Sequence, residues 1–356
     1  MGSAMLESIR GRGASHNPAN RFIPLNYEQD PARIDPDAPS PHTQFYRDSS
    51  RSIIATNDST DVGFTHSINV YRGCEHGCAY CYARPFHEYL GFSAGLDFET
   101  RIMVKELAPE LLRGELMAKS WRPVVLAMSG VTDAYQPIER KLQLTRRCLQ
   151  VLAEFRNPVG IVTKNQLVTR DIDVLAELAS FHAASVSLTV TTLDADLAGK
   201  LEPRASRPAA RLTAIAELAK AGVPVGVMVA PIIPGLNDHE IPAILEAVRD
   251  AGARHAGYTM VRLPGAVAEL FQAWLAQHYP QRREKVLGRI RGMRGGRLND
   301  PRMGSRMRGE GVQAELVRNL FKLHRNRLGL NREVPELSTA SFRRPGPAQG
   351  SLFATL

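Results

Sequence analysis

Six short apolar runs mark the middle of this 356-residue chain: SINVY (67–71), PVVLAMS (123–129), PVGIVTK (158–164), ASVSLTVTT (184–192), VPVGVMVAP (223–231) and HAGYTMVRL (255–263). Between them lie KELAPELLRGELMA, ERKLQLTRRCLQVLAEF, RDIDVLAELASFH, RPAARLTAIAELAKAG and DHEIPAILEAVRDAG. Each of these spaces its apolar residues at i, i+3 and i+4, the stripe of an amphipathic helix. Near-continuous β-branched strands alternating with helices predict βαβ units and a parallel sheet buried on both faces. Six strands in series fit an open doubly wound sheet or part of a barrel. In both, functional residues belong at the C-terminal ends of the strands.

The pattern differs on either side. Residues 1–65 are polar and rich in Pro, Asn and Asp, without a hydrophobic period, and predict an extended arm wrapping the body. After residue 266 the strand signal stops. AVAELFQAWLAQHY, QRREKVLGRIRGM and VQAELVRNLFKLHRNRLGL read as helices, with a Gly/Arg-rich loop before the last. The expected organisation is an arm (1–65), an α/β body (66–265) and a helical extension (266–356).

Composition narrows the class. Hydrophobic content of 44% and charged content of 23% are those of a globular protein. No window approaches the run of about 18 apolar residues that a membrane helix needs. The N-terminus lacks the apolar core of a secretory signal. The expectation is a cytoplasmic protein without a membrane partner. The net charge of +9 is uneven: residues 271–356 hold 17 Lys+Arg and 6 Asp+Glu, a net of +11, leaving −2 for the rest. Such an extension suits a polyanionic partner such as nucleic acid, or simply a solubilising surface.

The chemistry concentrates in YRGCEHGCAYCYARPF, residues 71–86. Cys74, Cys78 and Cys81, three of the four cysteines, are spaced C-x3-C-x2-C. Four cysteines with three clustered do not make a disulfide framework. Gly73 and Gly77 let the loop fold tightly around a bound centre. Iron–sulfur clusters take cysteine thiolates, usually four. Three leave one iron open, the mark of a catalytic site. A zinc site completed by His76 or His87 is the alternative. Cys148 falls on the apolar stripe Leu144, Cys148, Val151/Leu152, Phe155 and reads as a small buried hydrophobe.

GCEHGCAYC, with aromatic Tyr80 before the last cysteine, resembles the signature of the radical S-adenosylmethionine (SAM) superfamily. That resemblance implies a partial (β/α)6 TIM-type barrel with its cluster loop after the first strand. It also implies a [4Fe–4S] cluster on Cys74, Cys78 and Cys81, with SAM on the fourth iron. Reduction by an external flavodoxin- or ferredoxin-type donor would split SAM into methionine and a 5′-deoxyadenosyl radical. SINVYRGCEHGCAYCYARPFHEY, SGVTDAYQPIERKLQLTRRCLQVL, IVTKNQLVTRDIDVL and VMVAPIIPGLND are similar to the DNA-repair photolyase branch that includes spore photoproduct lyase. By matching motif positions, Thr132, Asp133 and Lys164 are implied at the polar end of SAM. Asp133 would meet the amino group and Lys164 the carboxylate. A turn residue and an exposed loop residue are their plainer readings. Tyr80 is implied beside the adenine, and Tyr80 and Tyr82 in hydrogen return to SAM. Thr189 and Thr191 are weaker candidates for the ribose or methionine, with Glu202, Arg204 and Arg262 near strand ends. One departure matters: photoproduct lyase carries a hydrogen-donor cysteine in the turn that here reads SGVTDAY, which has none. The expected function is radical SAM chemistry on nucleic acid. The alternatives are a radical SAM enzyme acting on protein or small molecules, or a zinc-bound nucleic-acid-binding module.

Overall fold

The computed structural model describes residues 8–23, 41–332 and 336–346. In chain order its strands are β1 (Gln44–Arg47), β2 (Ile54–Thr56), β3 (His66–Ile68), β4 (Tyr71–Arg72), β5 (Arg101–Val104), β6 (Leu126–Met128), β7 (Val159–Thr163), β8 (Ala184–Thr189), β9 (Val225–Ile232) and β10 (His255–Met260). The helices are α1 (Leu96–Thr100), α2 (Ala108–Met117), α3 (Glu139–Leu142), α4 (Leu144–Phe155), α5 (Ile172–Ser180), α6 (Ala195–Leu201), α7 (Pro208–Lys220), α8 (Ile241–Asp250), α9 (Val267–His278), α10 (Arg283–Gly292), α11 (Ser305–Arg308) and α12 (Val312–Arg327).

Every apolar run anticipated as a strand contributes one. β3, β6, β7, β8, β9 and β10 pair in parallel in the order of the chain. β2 adds an antiparallel strand beyond β3. β2 and β10 are opposite edges of the sheet and do not pair, so this is an open partial barrel. The helices α2, α4, α5, α7 and α8 follow the five amphipathic segments. α4 shows why: Leu144, Cys148, Leu149, Leu152 and Phe155 share its inner face and are all buried. They meet Val159, Ile161, Val186 and Leu188 of the sheet in one apolar core.

A second core lies at the C-terminal rim of the strands. Ala79 and Tyr80 of the thiol loop pack there with Leu201, Ile233, Leu263, Phe271, Trp274 and Leu287. Thus α9 and α10 of the extension support the loop directly. The rest of the extension goes elsewhere. The segment after α12 covers the free edge of β10, where Ala256 N–H donates to Leu330 O at 3.0 Å. An edge strand so covered cannot pair with another chain. Residues 338–344 then cross the opposite end of the barrel. Ser338 N–H donates to His182 O, Arg343 N–H to Phe155 O, and Arg344 to Ala118 O and Trp121 O. No helix among the described residues is long and apolar enough to cross a membrane.

Two features escaped the sequence pattern. β1, β5 and β4 form a small separate sheet, and its strand β4 leads straight into the thiol loop. After β8, Asp194 caps the short α6 by accepting from Asp196 N–H and Leu197 N–H.

Cys148 is fully buried in the core. Cys148→Ser is expected to lower stability by about 1–3 kcal/mol, because it buries a hydroxyl among apolar groups. Denaturant titration measures this.

Candidate active site

β4 turns into the thiol loop at Gly73, whose φ of +82° is left-handed. A Cβ there would lie 2.9 Å from Phe98 O, so only glycine fits. Cys74 N–H donates to Phe98 O at 2.9 Å, and Ala79 N–H to Leu201 O at 3.0 Å. Cys74 and Cys78 are buried and Cys81 is half-buried.

Arg84, fully buried, holds this loop from behind. Its guanidinium donates twice to Cys78 O, at 3.2 and 2.9 Å, and to Ala94 O, Gly95 O and Glu99 Oε1. Glu99 is fully buried as well and also accepts from the N-terminal arm: Gly13 N–H at 3.1 Å and Ala14 N–H at 2.9 Å. Further along the arm, Asn17 exchanges hydrogen bonds with Asp97, Asn20 donates to Glu88 O and Phe92 O, and Arg21 pairs with Glu88. The arm thus docks on the segment behind the thiols. None of these arm residues was singled out from sequence. The segment GRGASHNPANRF is dense in backbone-permissive and amide residues, which was the only signal.

The turn after β6 clamps the other side. Thr132 Oγ1 donates to Gly73 O at 2.7 Å, and Gln136 Oε1 accepts from Glu75 N–H at 2.9 Å. Asp133 accepts from Tyr135 N–H, Thr163 Oγ1 and Lys164 N–H, and lies 3.4 Å from His76 Nδ1. Burial alone would raise its carboxyl, but His76 and the two backbone N–H donors hold it at about 2. His76 Nε2 contacts Asn165 at 3.1 Å, so both its ring nitrogens are engaged. His87 stacks on Phe92 and meets Phe98 edge-on, and burial pushes its pKa down to about 4. No three His, Cys, Asp or Glu side chains converge on a single-ion site among the described residues.

Tyr80 points inward. Its hydroxyl donates to Glu202 and lies 3.4 Å from Thr191 Oγ1. Glu202 also accepts from Thr191 and pairs with fully buried Arg211. Burial raises the Glu202 carboxyl, but Arg211 and then Lys164 outweigh it and bring it to about 2. The Lys164 ammonium, 5.8 Å from the Tyr80 ring centre, has no hydrogen-bond or ion-pair partner among the described residues. Thr189 is buried at the end of β8, where its carbonyl accepts from Arg211. Arg204 bridges Glu75 and Thr43. Tyr82 faces outward, 42% exposed, its hydroxyl donating to Gly130 O at 2.8 Å. The Arg262 guanidinium lies 4.6 Å from the centre of its ring.

The structure therefore brings Cys74, Cys78, Cys81, Tyr80, Tyr82, Thr132, Asp133 and Lys164 around one loop at the C-terminal rim of the strands. Cys148 is not among them. Burial pushes all three thiols up, and at Cys74 the nearby Asp133, Cys78 and Cys81 add to it. Buried thiols so disposed ionise only beside a strong positive charge, which a metal centre supplies. Three thiols on one glycine-shaped loop, with its carbonyl fixed by Arg84, fit an iron–sulfur cluster.

Comparisons with known proteins bear on the family and the fold. Residues 68–248 match the model of the radical SAM superfamily, and the chain belongs to that superfamily. It is 37% identical over 220 residues to an uncharacterised protein of Mycobacterium tuberculosis, covering 61% of this chain and 65% of that one. An uncharacterised protein of Methanocaldococcus jannaschii is 32% identical over 184 residues, 52% of this chain and 66% of its own. The chain thus spans just under two thirds of the length of these relatives. Among solved structures, spore photoproduct lyase complexed with dinucleoside spore photoproduct aligns with a TM-score of 0.58 at 15% identity, covering 80% of this chain and 79% of that one. The shared fold confirms the partial barrel.

Two outcomes test the supports of the loop. A Cβ at residue 13 would sit 1.7 Å from Gly77 O, so Gly13→Ala is expected to lift the arm. Limited proteolysis should then cut near residue 13 several times faster than in wild type. Glu202→Gln leaves Arg211 buried and unpaired and should cost about 3–5 kcal/mol at pH 7. The Glu202 pKa is depressed in the fold, from 4.5 to about 2, so its contribution is present above pH 4.5 and lost as pH falls towards 2. Denaturation measured across that window should show a shallower acid decline in the variant.

Proposed function

We propose that this protein is a radical SAM enzyme holding a [4Fe–4S] cluster on Cys74, Cys78 and Cys81 and acting on a nucleic-acid substrate. The observation that carries the reading is three thiols on one rim loop, two buried and one half-buried, with the Lys164 ammonium near the Tyr80 ring and without an ion-pair partner among the described residues. The chemistry such a centre supplies when bound is one-electron cleavage of SAM, with the electron from a flavodoxin- or ferredoxin-type protein. The chain's own residues prepare the place. Lys164 is free to meet the carboxylate of SAM as a charge-assisted hydrogen bond. Thr132 holds the Gly73 carbonyl, and Asp133 ties the ends of β6 and β7 to His76. With its oxygens so engaged, Asp133 positions the loop, and the amino group of SAM meets it only at the carboxylate's remaining lone pairs. Tyr80 lends its ring, and Thr189 lies near enough to the rim for the ribose. Tyr82 is the exposed tyrosine suited to passing a hydrogen between SAM and substrate. A cytoplasmic setting keeps the four free thiols reduced.

Nucleic acid is favoured by the basic extension and by an aromatic rim. Phe22 stacks on Tyr89 at 4.7 Å and Phe86 lies 6.5 Å from Tyr89, all three more than half exposed. Exposed rings beside cations are stacking platforms for bases.

Anaerobic reconstitution should yield about four irons with sulfide per chain. On reduction with SAM, 5′-deoxyadenosine should appear. Cys78→Ala should lose both, and one zinc per chain in their place sinks the reading. Lys164→Met should raise the KM for SAM about 10- to 100-fold, the loss of one hydrogen bond to a charged group.

A further inference from the structure

Several arginines around the rim find carboxylates or carbonyls within the fold. Arg306 pairs with Asp61, whose carboxylate also accepts from Gly304 N–H. Arg294 donates to Val261 O and Ser305 O, Arg289 pairs with Asp238, and Arg302 pairs with Asp300 and Glu310. Arg262 is different. It is half-buried immediately after β10, yet its guanidinium has no hydrogen-bond acceptor and no carboxylate within ion-pair distance among the described residues. It stacks on the ring of Tyr82, whose hydroxyl Gly130 O holds in place, and feels Asp61 and Cys81 only through space. Asp61, the carboxylate on this side, is already taken by Arg306. A cation withdrawn from water without a partner is unfavourable unless something else meets it. The free edge of a guanidinium stacked on a ring presents parallel donors in the geometry that matches phosphate oxygens.

We propose that Arg262, stacked on Tyr82, is a phosphate-binding subsite at the mouth of the active site, receiving a phosphate of the substrate beside the thiol loop. The inference rests on the radical SAM reading above and adds the substrate class: a phosphate-bearing molecule, whether a nucleic-acid backbone or a small phosphate ester. The aromatic rim adjoins it. Pro85, next to Phe86, lies 3.7 Å from where a Cβ on Gly265 would be, three residues beyond Arg262. Bases stacked on the rim would therefore carry their phosphates towards this guanidinium.

The test measures binding in the full-length protein, without turnover. A short fluorescein-labelled single-stranded oligothymidylate is titrated at several salt concentrations, and thermal melting is followed in inorganic phosphate against chloride at matched ionic strength. Arg262→Gln is compared with wild type, with Arg262→Lys, and with Arg297→Gln as a control for general loss of charge. Each variant's unliganded melting temperature shows whether it has folded. The expected result is about tenfold weaker oligonucleotide binding in Arg262→Gln, with a salt slope smaller by about 0.7. Arg262→Lys should recover part of the affinity and Arg297→Gln should keep nearly all of it. If phosphate stabilises wild type but not Arg262→Gln while no oligonucleotide binds, the subsite stands and the nucleic-acid reading falls. If a folded Arg262→Gln matches wild type with both probes, the subsite is wrong, and the nucleic-acid reading stands or falls on the oligonucleotide alone.

Discussion

The site depends on one buried ion pair. Arg84 and Glu99 are both fully buried, and such a pair is tolerable only when nearly every donor and acceptor is used. Here they are. The guanidinium spends its hydrogens on Cys78 O, Ala94 O, Gly95 O and Glu99. The remaining capacity of Glu99 goes to the backbone of Gly13 and Ala14. Three segments distant in the chain are thereby tied to one carbonyl of the thiol loop. A loop that must present three thiols to one centre gains from being held before anything binds. The arm is therefore part of the site's support, although it brings no reactive group.

The barrel was legible because its signals are periodic. Runs such as PVGIVTK and the stripe of α4 declare strand and helix over many residues, and tertiary packing reinforced them. The thiols were legible by spacing. The supports were not, for physical reasons. A buried Arg84 in ARPF looks like any surface arginine until its acceptors, which are mostly carbonyls, are in place. β4 has two residues and α1 five, too short for a period to show. The arm contributes backbone N–H groups and amides, which leave no hydrophobic trace. Thr132 and Asp133, expected at the polar end of SAM, find their hydrogen-bond partners within the protein.

Charge tells a similar story. The sequence places the positive excess in the extension, and a sum over 271–356 suggests that the free cations lie there. Pairing removes part of that excess. Arg283, Arg289, Arg302 and Arg306 each face a carboxylate. Near the thiols, Lys164 and Arg262, both in the near-neutral body, have no ion pair at contact distance among the described residues. Net charge governs long-range attraction, whereas recognition at short range is set by which charges the fold leaves unpaired.

The open edge of the barrel gives the extension a further role. Since β2 and β10 do not pair, a seam runs between them. Contacts from around α11 to the loop before β3 bridge it at the rim: Gly304 N–H and Arg306 to Asp61, and Thr60 to Met303. At the other end, residues 338–344 cross the loops that precede β6, β7 and β8. The thiol loop itself sits at the C-terminal ends of the strands. There Tyr82 is the exposed ring nearest in sequence to the thiols, and Arg262 lies on it. The phosphate subsite proposed for this residue pair would set the substrate over the loop that Arg84 and Glu99 hold.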